Sequence, residues 1–403
     1  MTPDRLHMDR GPGGGGEMSS RRNRDVVIVG AGVTGLSTAF ELASQGAGEV
    51  TVLERDRIGA GASGVQPGGV RQQWGTAVNC RLAREAFFFY RDIHERLETS
   101  ARPRLSSCGY VFLAESDEVM AQLRDNVALQ NSLGIPSDLM TPEEAAEVVP
   151  DLMTETLVGA AYCAEDGYFD NAQAPVEAYA EAATRHGAQI EHAEVQRLER
   201  TGAAWTVVLA DGSSICAEHV VIAAGYDTPP LLRPLGIRLP IEKERRYLFM
   251  SAPINERLLD PLVVATERHF AAKHLADGRI LASDLLARGE ATEAGRQQWR
   301  QRIDEQIEKL LPRLQFVSFP LLVEGHYDMT PDGQPILGPV GEHANLWIAA
   351  GFSGHGFMLA PAVSRRLARA VLDGVMAEEF EEFSATRFRG EGLDGLVHEP
   401  QVF

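Results

Sequence analysis

Residues 25–54 read DVVIVGAGVTGLSTAFELASQGAGEVTVLE, and this stretch decides the fold of the chain. The unbroken apolar run at 26–29 is typical of a parallel strand that is buried on both faces. Glycines with the spacing G-x-G-x-x-G follow at once, and apolar residues at helical spacing come next. A second apolar run, 50–53, leads to an acid, Glu54. The stretch therefore predicts a strand, a tight turn, a helix and a second parallel strand.

This strand–turn–helix unit predicts a dinucleotide site. Gly30 permits the tight turn, Gly32 lets the backbone approach a pyrophosphate, and Gly35 lets the helix pack closely on the strand. The pyrophosphate is expected at the start of the helix, beside Val33 and Thr34. Unpaired N–H groups and the helix dipole favour negative charge at that position.

The acid at the end of the second strand narrows the choice of dinucleotide. Glu54 lies 19 residues beyond Gly35, about where an acid accepts a hydrogen bond from a ribose hydroxyl, and Arg55 follows it. An acid at this position disfavours a 2′-phosphate and therefore NADP. FAD and NAD both fit the unit.

Composition sets the broad class of the protein. A chain of 403 residues is long enough for a large core and two or three domains, and its net charge of −19 argues against nucleic acid and anionic membrane surfaces as partners. No apolar run of membrane-spanning length occurs. The four cysteines are far apart, which indicates reduced thiols, no C-x-x-C metal motif and a cytoplasmic location. Residues 1–24 are rich in Gly and Arg, and we expect a disordered leader.

Three later segments carry further information. Residues 58–74, IGAGASGVQPGGVRQQW, form a long glycine-rich loop that is expected to lie against a ligand. Residues 219–225, HVVIAAG, predict a buried strand that rejoins the first sheet. Residues 345–361, NLWIAAGFSGHGFMLAP, predict another strand, a glycine turn and a helix over 358–372. Other predicted elements are strands at 245–250 and 279–282 and helices over 79–98 and 290–311.

Together these segments resemble the FAD-dependent amino-acid oxidase superfamily, which includes glycine oxidase and sarcosine oxidase. They occur in the order of that family, and TPDGQPILGP (330–339) and GFSGHGFMLAP (351–361) are most similar to its sarcosine oxidase-like branch. The resemblance covers roughly residues 25–374. It implies an α/β fold, with a Rossmann-like FAD-binding domain of the glutathione-reductase type and an interleaved α+β substrate domain with a mixed sheet.

The resemblance also implies how the chain is divided. The FAD-binding domain is expected to comprise residues 25–105, 164–235 and 325–375. The substrate domain is expected to comprise 106–163 and 236–324. The C-terminal tail, 376–403, is expected to be surface helix and coil.

The resemblance implies a set of FAD contacts that begins with the three fingerprint glycines and Glu54. The further positions expected to contact FAD are Val33, Thr34, Arg55, Ala62, Ser63, Gly64, Gly69, Val195, Ala224, Gly225, Gly351, Gly354, His355, Gly356, Phe357 and Met358.

Candidate catalytic residues follow from the same resemblance. Arg71 falls where sarcosine oxidases hold the substrate carboxylate, and His355 is expected to contact flavin or substrate. Family oxidases use a lysine near flavin N5 to promote reaction with oxygen. A rough alignment places Ile280 on that position, which leaves Lys273 as the candidate lysine. Candidates for the wall of the substrate pocket are Tyr247, Phe270, His326 and Tyr327.

Two departures from the family pattern shape the prediction. Met358 stands where sarcosine oxidases carry a second lysine for the substrate carboxylate, which argues against sarcosine itself or against that clamp. No cysteine lies beyond Cys216, and residues 58–74 contain no histidine. The cysteine and the histidine to which relatives attach FAD covalently are therefore missing at these positions, and we expect FAD to be bound non-covalently.

The leading functional hypothesis is oxidation of the C–N bond of an amine, a secondary (N-methyl or cyclic) or primary amino acid, by hydride transfer to flavin N5 and hydrolysis of the imine. Oxygen or another electron acceptor would then take the electrons. A nicotinamide dehydrogenase and a non-enzymatic flavin-binding or assembly protein are the alternatives. The oligomeric state is open.

Overall fold

The fingerprint stretch folds as predicted, at the centre of the first of two large sheets. β1 (Arg22–Val29) pairs in parallel with β2 (Val50–Glu54), and α1 (Val33–Ser44) connects them. The computed structural model describes residues 22–389 and 396–399. Most of the predicted leader therefore lies outside the described residues, although β1 already begins at Arg22.

The other elements follow in chain order. The helices are α2 (Ala62–Val65), α3 (Ala77–Arg91), α4 (Ile93–Leu97), α5 (Asp117–Ser132), α6 (Pro142–Val148), α7 (Gln173–Arg185), α8 (Thr228–Leu232), α9 (Glu293–Leu310), α10 (Gly356–Asp373) and α11 (Glu379–Glu382). The strands are β3 (Gly69–Val70), β4 (Tyr110–Ala114), β5 (Ser137–Met140), β6 (Gly159–Cys163), β7 (Gly167–Tyr168), β8 (Gln189–His192), β9 (Val195–Thr201), β10 (Ala204–Leu209), β11 (Ser214–Ile222), β12 (Glu242–Met250), β13 (Leu262–Ala265), β14 (Phe270–His274), β15 (Ile280–Asp284), β16 (Leu321–Met329), β17 (Ile336–Pro339) and β18 (Leu346–Ala350).

The first sheet has the order β17-β18-β11-β1-β2-β8, and the β9–β10 hairpin pairs with the first half of β11. Five of these strands are parallel neighbours, and only the edge strand β17 runs against β18. Helices α1, α3, α7 and α10 bury one face of the sheet in a continuous apolar core. The parallel order brings the carboxyl ends of β1, β11 and β18 to one edge, where open α/β sheets bind ligands.

The second sheet has the order β16-β12-β15-β14-β13-β4-β6-β5 and is mixed, as predicted. Helix α9 covers one face with Trp299, Ile303 and Ile307. The predicted domain boundary at residue 325 falls inside β16, which pairs with β12 along its whole length. Residues 325–329 therefore belong to the second sheet, and the division into two interleaved domains stays our interpretation of the two sheets.

The C-terminal segment corrects one expectation. Phe380 and Phe383 are only 3% and 1% exposed, and they pack into the core that contains α10. At these two positions the segment beyond α10 is part of the packed structure, whereas Val375 and Met376 are exposed. In the part of the chain that the structure describes, no helix combines the length and apolarity that crossing a bilayer requires.

Candidate active site

A cleft of about 430 Å³ lies where the carboxyl ends of β1, β2, β11 and β18 meet. It continues past α2 and the start of β9, and its other wall includes the turn before α10. This is the edge at which a parallel sheet of this kind holds a dinucleotide.

The fingerprint glycines are required by close backbone packing at the floor of the cleft. Gly30 has a φ of 106°, and a Cβ there would lie 2.5 Å from the carbonyl oxygen of Ala223. A Cβ on Gly35 would lie 2.0 Å from the carbonyl oxygen of Gly30. Larger residues at these positions would push β1 away from β11 and α1 away from β1.

The start of α1 is suited to hold a pyrophosphate. Gly32, Val33 and Thr34 line the cleft, and Gly32 at the N-cap has no side chain that could satisfy the first turn. Ser63 Oγ accepts the N–H of Val33 at 3.0 Å, which fixes the glycine-rich loop against the helix. Backbone donors and the positive end of the helix dipole thus face the cleft, as an anionic pyrophosphate needs.

Glu54 is held in position to receive a ribose. Its two carboxylate oxygens accept the N–H groups of Ala31 at 2.8 Å and Asp56 at 2.9 Å. Each oxygen keeps a second lone pair for a hydroxyl. Arg55 pairs with Asp227 at 2.6 Å, which ties the end of β2 to the segment after β11. The residues of the cleft therefore fit the adenosine and pyrophosphate parts of FAD.

Most of the predicted cofactor residues line this cleft. They are Gly30, Gly32, Val33, Thr34, Glu54, Arg55, Ala62, Ser63, Val195, Ala224, Gly225, Gly354, Gly356 and Phe357. The predicted positions that lie outside its lining are Gly35, Gly64, Gly69, Gly351, His355 and Met358. Among these, Met358 packs on Gly69, because a Cβ on that glycine would lie 3.1 Å from its methyl carbon.

A buried carboxylate shapes the turn before α10. Asp328 at the end of β16 accepts the N–H of Gly351 at 2.7 Å through its side chain, and its backbone oxygen accepts the N–H of Ser353 at 3.1 Å. Burial raises the pKa of Asp328 to about 6, and the hydrogen bonds from Phe352 and Gly351 oppose that rise. Sequence reasoning missed this residue, although it lies two positions before the TPDGQP motif.

A second cavity, of about 130 Å³, lies between the second sheet and the glycine-rich loop. Its lining is mostly apolar, with Val65, Pro67, Leu248, Leu281 and Val323 among the contributors. Tyr327 lines both cavities and so joins them. The apolar wall suits a substrate with a hydrocarbon part.

Lys273 is the one lysine in the lining of this second cavity, and it is 2% exposed. Its ammonium donates to the carbonyl oxygen of Pro67 and lies 3.9 Å from the centre of the Tyr168 ring. Burial lowers its pKa to about 7. Ile280 packs in the core on the α9 side of the sheet. Lys273, cross-strand from Leu281 on the neighbouring strand, points to the other side.

Arg71, Trp74 and His355 form a buried cluster. The guanidinium carbon of Arg71 lies 3.7 Å from the centre of the Trp74 ring, and its Nη1 donates to the carbonyl oxygen of Gln73 at 2.9 Å. The ring centres of Trp74 and His355 are 4.9 Å apart. Burial, and next the Arg71 charge, lower the pKa of His355 to about 3, so its imidazole is neutral at physiological pH. Neither of its ring nitrogens has a partner among the described residues.

Arg71 itself lines neither of the two cavities. Burial lowers its pKa, while charges on Tyr110, Glu399 and Asp166 oppose that change. Its charge also acts on Tyr327, which reaches both cavities. The structure thus brings the predicted Arg71 and His355 together through Trp74, which sequence reasoning did not single out.

Tyr247 is in the lining of the second cavity, although its side chain packs in the core under α9. Its ring stacks on Trp299 at 4.5 Å, and its hydroxyl donates to the carbonyl oxygen of Gly289. Phe270 belongs to the same core under α9. Alternation along β12 turns the neighbouring Arg246 and Leu248 to the other face, so the Tyr247 side chain serves the core.

Comparison with known proteins agrees with this geometry. FAD-dependent oxidoreductase domain-containing protein 1 of Bos taurus is 28% identical over 396 residues, which cover 87% of this chain and 81% of that protein. Glycine oxidase of Pseudomonas putida is 29% identical over 353 residues, which cover 84% and 92%. The crystal structure of L-proline dehydrogenase from P. horikoshii superimposes with a TM-score of 0.84 at 28% identity and covers 92% of this chain and 99% of its own. The model of the DAO family, described as FAD dependent oxidoreductase, matches residues 25–370. The chain belongs to the DAO family of FAD-dependent oxidoreductases.

Proposed function

We propose that this oxidoreductase oxidises the C–N bond of an amino acid, primary or secondary, with FAD held non-covalently in the large cleft and the substrate between the smaller cavity and Arg71, which itself lines neither cavity. The observation that carries the proposal is the buried cluster of Arg71, Trp74 and His355 beside the turn that enters α10. In this cluster the Arg71 guanidinium is a cation for the substrate carboxylate. The neutral imidazole of His355 lies nearby, where we place the substrate amine.

The chemistry of electron transfer belongs to the cofactor. The FAD held by the large cleft would supply the acceptor for a hydride equivalent from the substrate carbon. The residues of the chain bind the substrate, orient it and remove water from around it.

Arg71 is the proposed anchor for the substrate carboxylate, because a guanidinium makes two parallel hydrogen bonds to it. Stacking on Trp74 and the bond to Gln73 fix the plane of the guanidinium. The neutral ring of His355 adds no second positive charge, so it does not oppose an amine that approaches in either protonation state. The apolar wall of the second cavity favours the deprotonated amine, the form that can lose hydride.

Lys273 supports a reaction with oxygen. When protonated, its buried ammonium is a positive charge beside the glycine-rich loop, and such a charge favours electron transfer to oxygen. Relatives named glycine oxidase and L-proline dehydrogenase point to amino acids as the substrate class and leave oxygen or another acceptor open. A cytoplasmic location stays a prediction from the cysteine pattern.

The test is anaerobic. The purified protein is mixed with a panel of primary, N-methyl and cyclic amino acids while the flavin absorbance at about 450 nm is followed. We expect at least one amino acid to bleach the flavin, and admission of air to restore the colour. A protein that carries FAD but is bleached by no member of the panel would contradict the proposal and favour a non-enzymatic flavin-binding role. Purification without any flavin would favour the nicotinamide alternative.

A further inference from the structure

The loop that carries Arg71 and Trp74 is held by two buried carboxylates. On one side Asp166 accepts the backbone N–H of Gln72 at 2.8 Å and the side-chain amide of Gln73 at 3.1 Å. On the other side Glu399 accepts hydrogen bonds from the residues that follow Trp74. The loop is therefore fixed at both ends by carboxylates.

Glu399 makes three of these contacts and is 5% exposed. Its oxygens accept the N–H of Gly75 at 2.9 Å, the hydroxyl of Thr76 at 2.8 Å and the amide of Asn79 at 2.9 Å. These donors belong to the loop and to the first turn of α3, where a carboxylate is stabilised by unpaired backbone N–H groups.

The TPDGQP motif anchors the segment that delivers Glu399. The backbone N–H of Glu399 donates to the carbonyl oxygen of Asp332 at 3.2 Å. The Asp332 carboxylate in turn pairs with Arg387 at 2.7 Å and is 2% exposed. Gln334 accepts from the same Asn79 amide at 2.9 Å, so the motif, α3 and residues 396–399 form one polar network. This gives the motif a structural purpose that the cofactor site does not explain.

We propose that Glu399 is a positioning residue for the substrate carboxylate: it fixes the turn after Trp74 and so holds the Arg71 guanidinium in its binding orientation. The inference rests on the proposed function of Arg71. A guanidinium that binds bidentately loses affinity when its plane tilts. Glu399 reaches Arg71 through the loop and through its charge, which favours the charged form of that buried arginine.

The test uses the FAD-loaded full chain and benzoate, a carboxylate without an amine, and follows the change in the flavin spectrum on titration. The variants are E399Q, which keeps the size of the side chain but removes its charge and one acceptor, and T76V, which removes one bond from the side of the loop. R71K reports on the proposed anchor. E382Q, at an exposed position of the same C-terminal region, is the matched control.

We expect R71K and E399Q each to raise the dissociation constant of benzoate by about tenfold, T76V to raise it less, and E382Q to leave it unchanged. Weakening by R71K with no effect of E399Q and T76V would overturn the role of Glu399 and leave the proposed function standing. No effect of R71K, or no benzoate binding by the parent protein, would contradict Arg71 as anchor and overturn this inference with it.

A second readout separates positioning from a general structural role. An amino acid that bleaches the flavin is compared with its decarboxylated amine, for example L-proline with pyrrolidine. In E399Q the apparent dissociation constant of the amino acid should rise. The apparent dissociation constant of the amine, the limiting rate of flavin bleaching and the FAD content should stay unchanged. An equal loss of affinity for the amino acid and for the amine, together with a loss of bound FAD, would overturn the proposal.

Discussion

Lys273 is a residue whose charge state changes near neutral pH. Burial lowers its pKa from 10.5 to about 7, so the ammonium is present below pH 7 and is lost as the pH rises through that value. If this charge promotes the reaction with oxygen, reoxidation of the reduced protein should slow by about tenfold between pH 6 and pH 8. We expect K273M to be slow at every pH and to lose this dependence, measured by stopped-flow mixing of reduced protein with oxygen.

The control for this prediction is K309M, because Lys309 lies exposed on α9, away from the site. It should reoxidise like the parent protein. Anaerobic bleaching should also be similar in K273M and the parent, since the proposed effect concerns oxygen only. If K273M reoxidises at the rate of the parent protein, the reaction with oxygen does not need Lys273 and the prediction is contradicted.

Single residues could be predicted from the sequence where local chemistry alone demands them. Gly30 packs against the backbone of Ala223, and Glu54 is the last residue of β2. The spacing within the βαβ unit was therefore sufficient to predict both residues. Glu399 could not be found in this way, because Gly75, Thr76 and Asn79, which donate to its carboxylate, lie more than 300 positions away and no local pattern marks it. The direction of the Tyr247 side chain could not be predicted either, because strand alternation alone cannot tell which face of a sheet carries the helix.

The turn between β18 and α10 lines the large cleft, and Asp328 holds this turn by accepting the N–H of Gly351. D328N keeps the shape of the side chain but replaces an oxygen, which can accept a hydrogen bond even when it is protonated, with an NH2 group that only donates, so an N–H of the turn loses its partner. We expect a loss of about 1–3 kcal/mol in the free energy of unfolding at pH 4, where both side chains are neutral. Chemical denaturation of the FAD-loaded protein measures it.

The pH dependence of this loss has a definite sign. Because burial raises the pKa of Asp328 from 3.8 to about 6, the folded protein binds a proton more readily than the unfolded chain between these values. The contribution of this group is therefore greatest below pH 4 and falls as the pH rises to 6, by about 3 kcal/mol at most. The stability difference between parent and D328N should shrink over this window. A difference that grows with pH would show that the carboxylate is stabilised in the fold and would contradict this account.

Elements were predictable in proportion to their periodicity. The predicted helix over 358–372 is α10, Gly356–Asp373, and the predicted helix over 290–311 is α9, Glu293–Leu310. The predicted helix over 79–98 is broken into α3 and α4 at Asp92. The short hairpin strands β13 and β14 were not predicted, since their pairing is set by tertiary neighbours and not by a local pattern. Lys273 lies on one of them, which is why its orientation required the structure.

At the scale of the whole molecule, the two sheets meet at the site and the C-terminal segment closes the fold beside it. The strand order of the first sheet and the mixed second sheet agree with the predicted fold class. The predicted surface tail does not agree at Phe380 and Phe383, which belong to the apolar core under the first sheet. Composition could not reveal this, since a stretch rich in Glu and Phe suits an exposed amphipathic helix equally well.

Phe383 provides the last prediction, at this same scale. Its side chain is 1% exposed in the core, and its carbonyl oxygen accepts the N–H of Leu337 at 3.0 Å. F383A should lower the free energy of unfolding by about 3–5 kcal/mol, because it leaves a cavity next to α10. F316A is the matched control: Phe316 is 70% exposed, and its loss should change stability by less than about 0.5 kcal/mol. Thermal unfolding of both FAD-loaded variants, followed by flavin fluorescence and circular dichroism, compares them. Equal unfolding midpoints for the two variants would contradict the burial of this segment. A lower midpoint for F383A alone would support its role in the fold that holds Glu399.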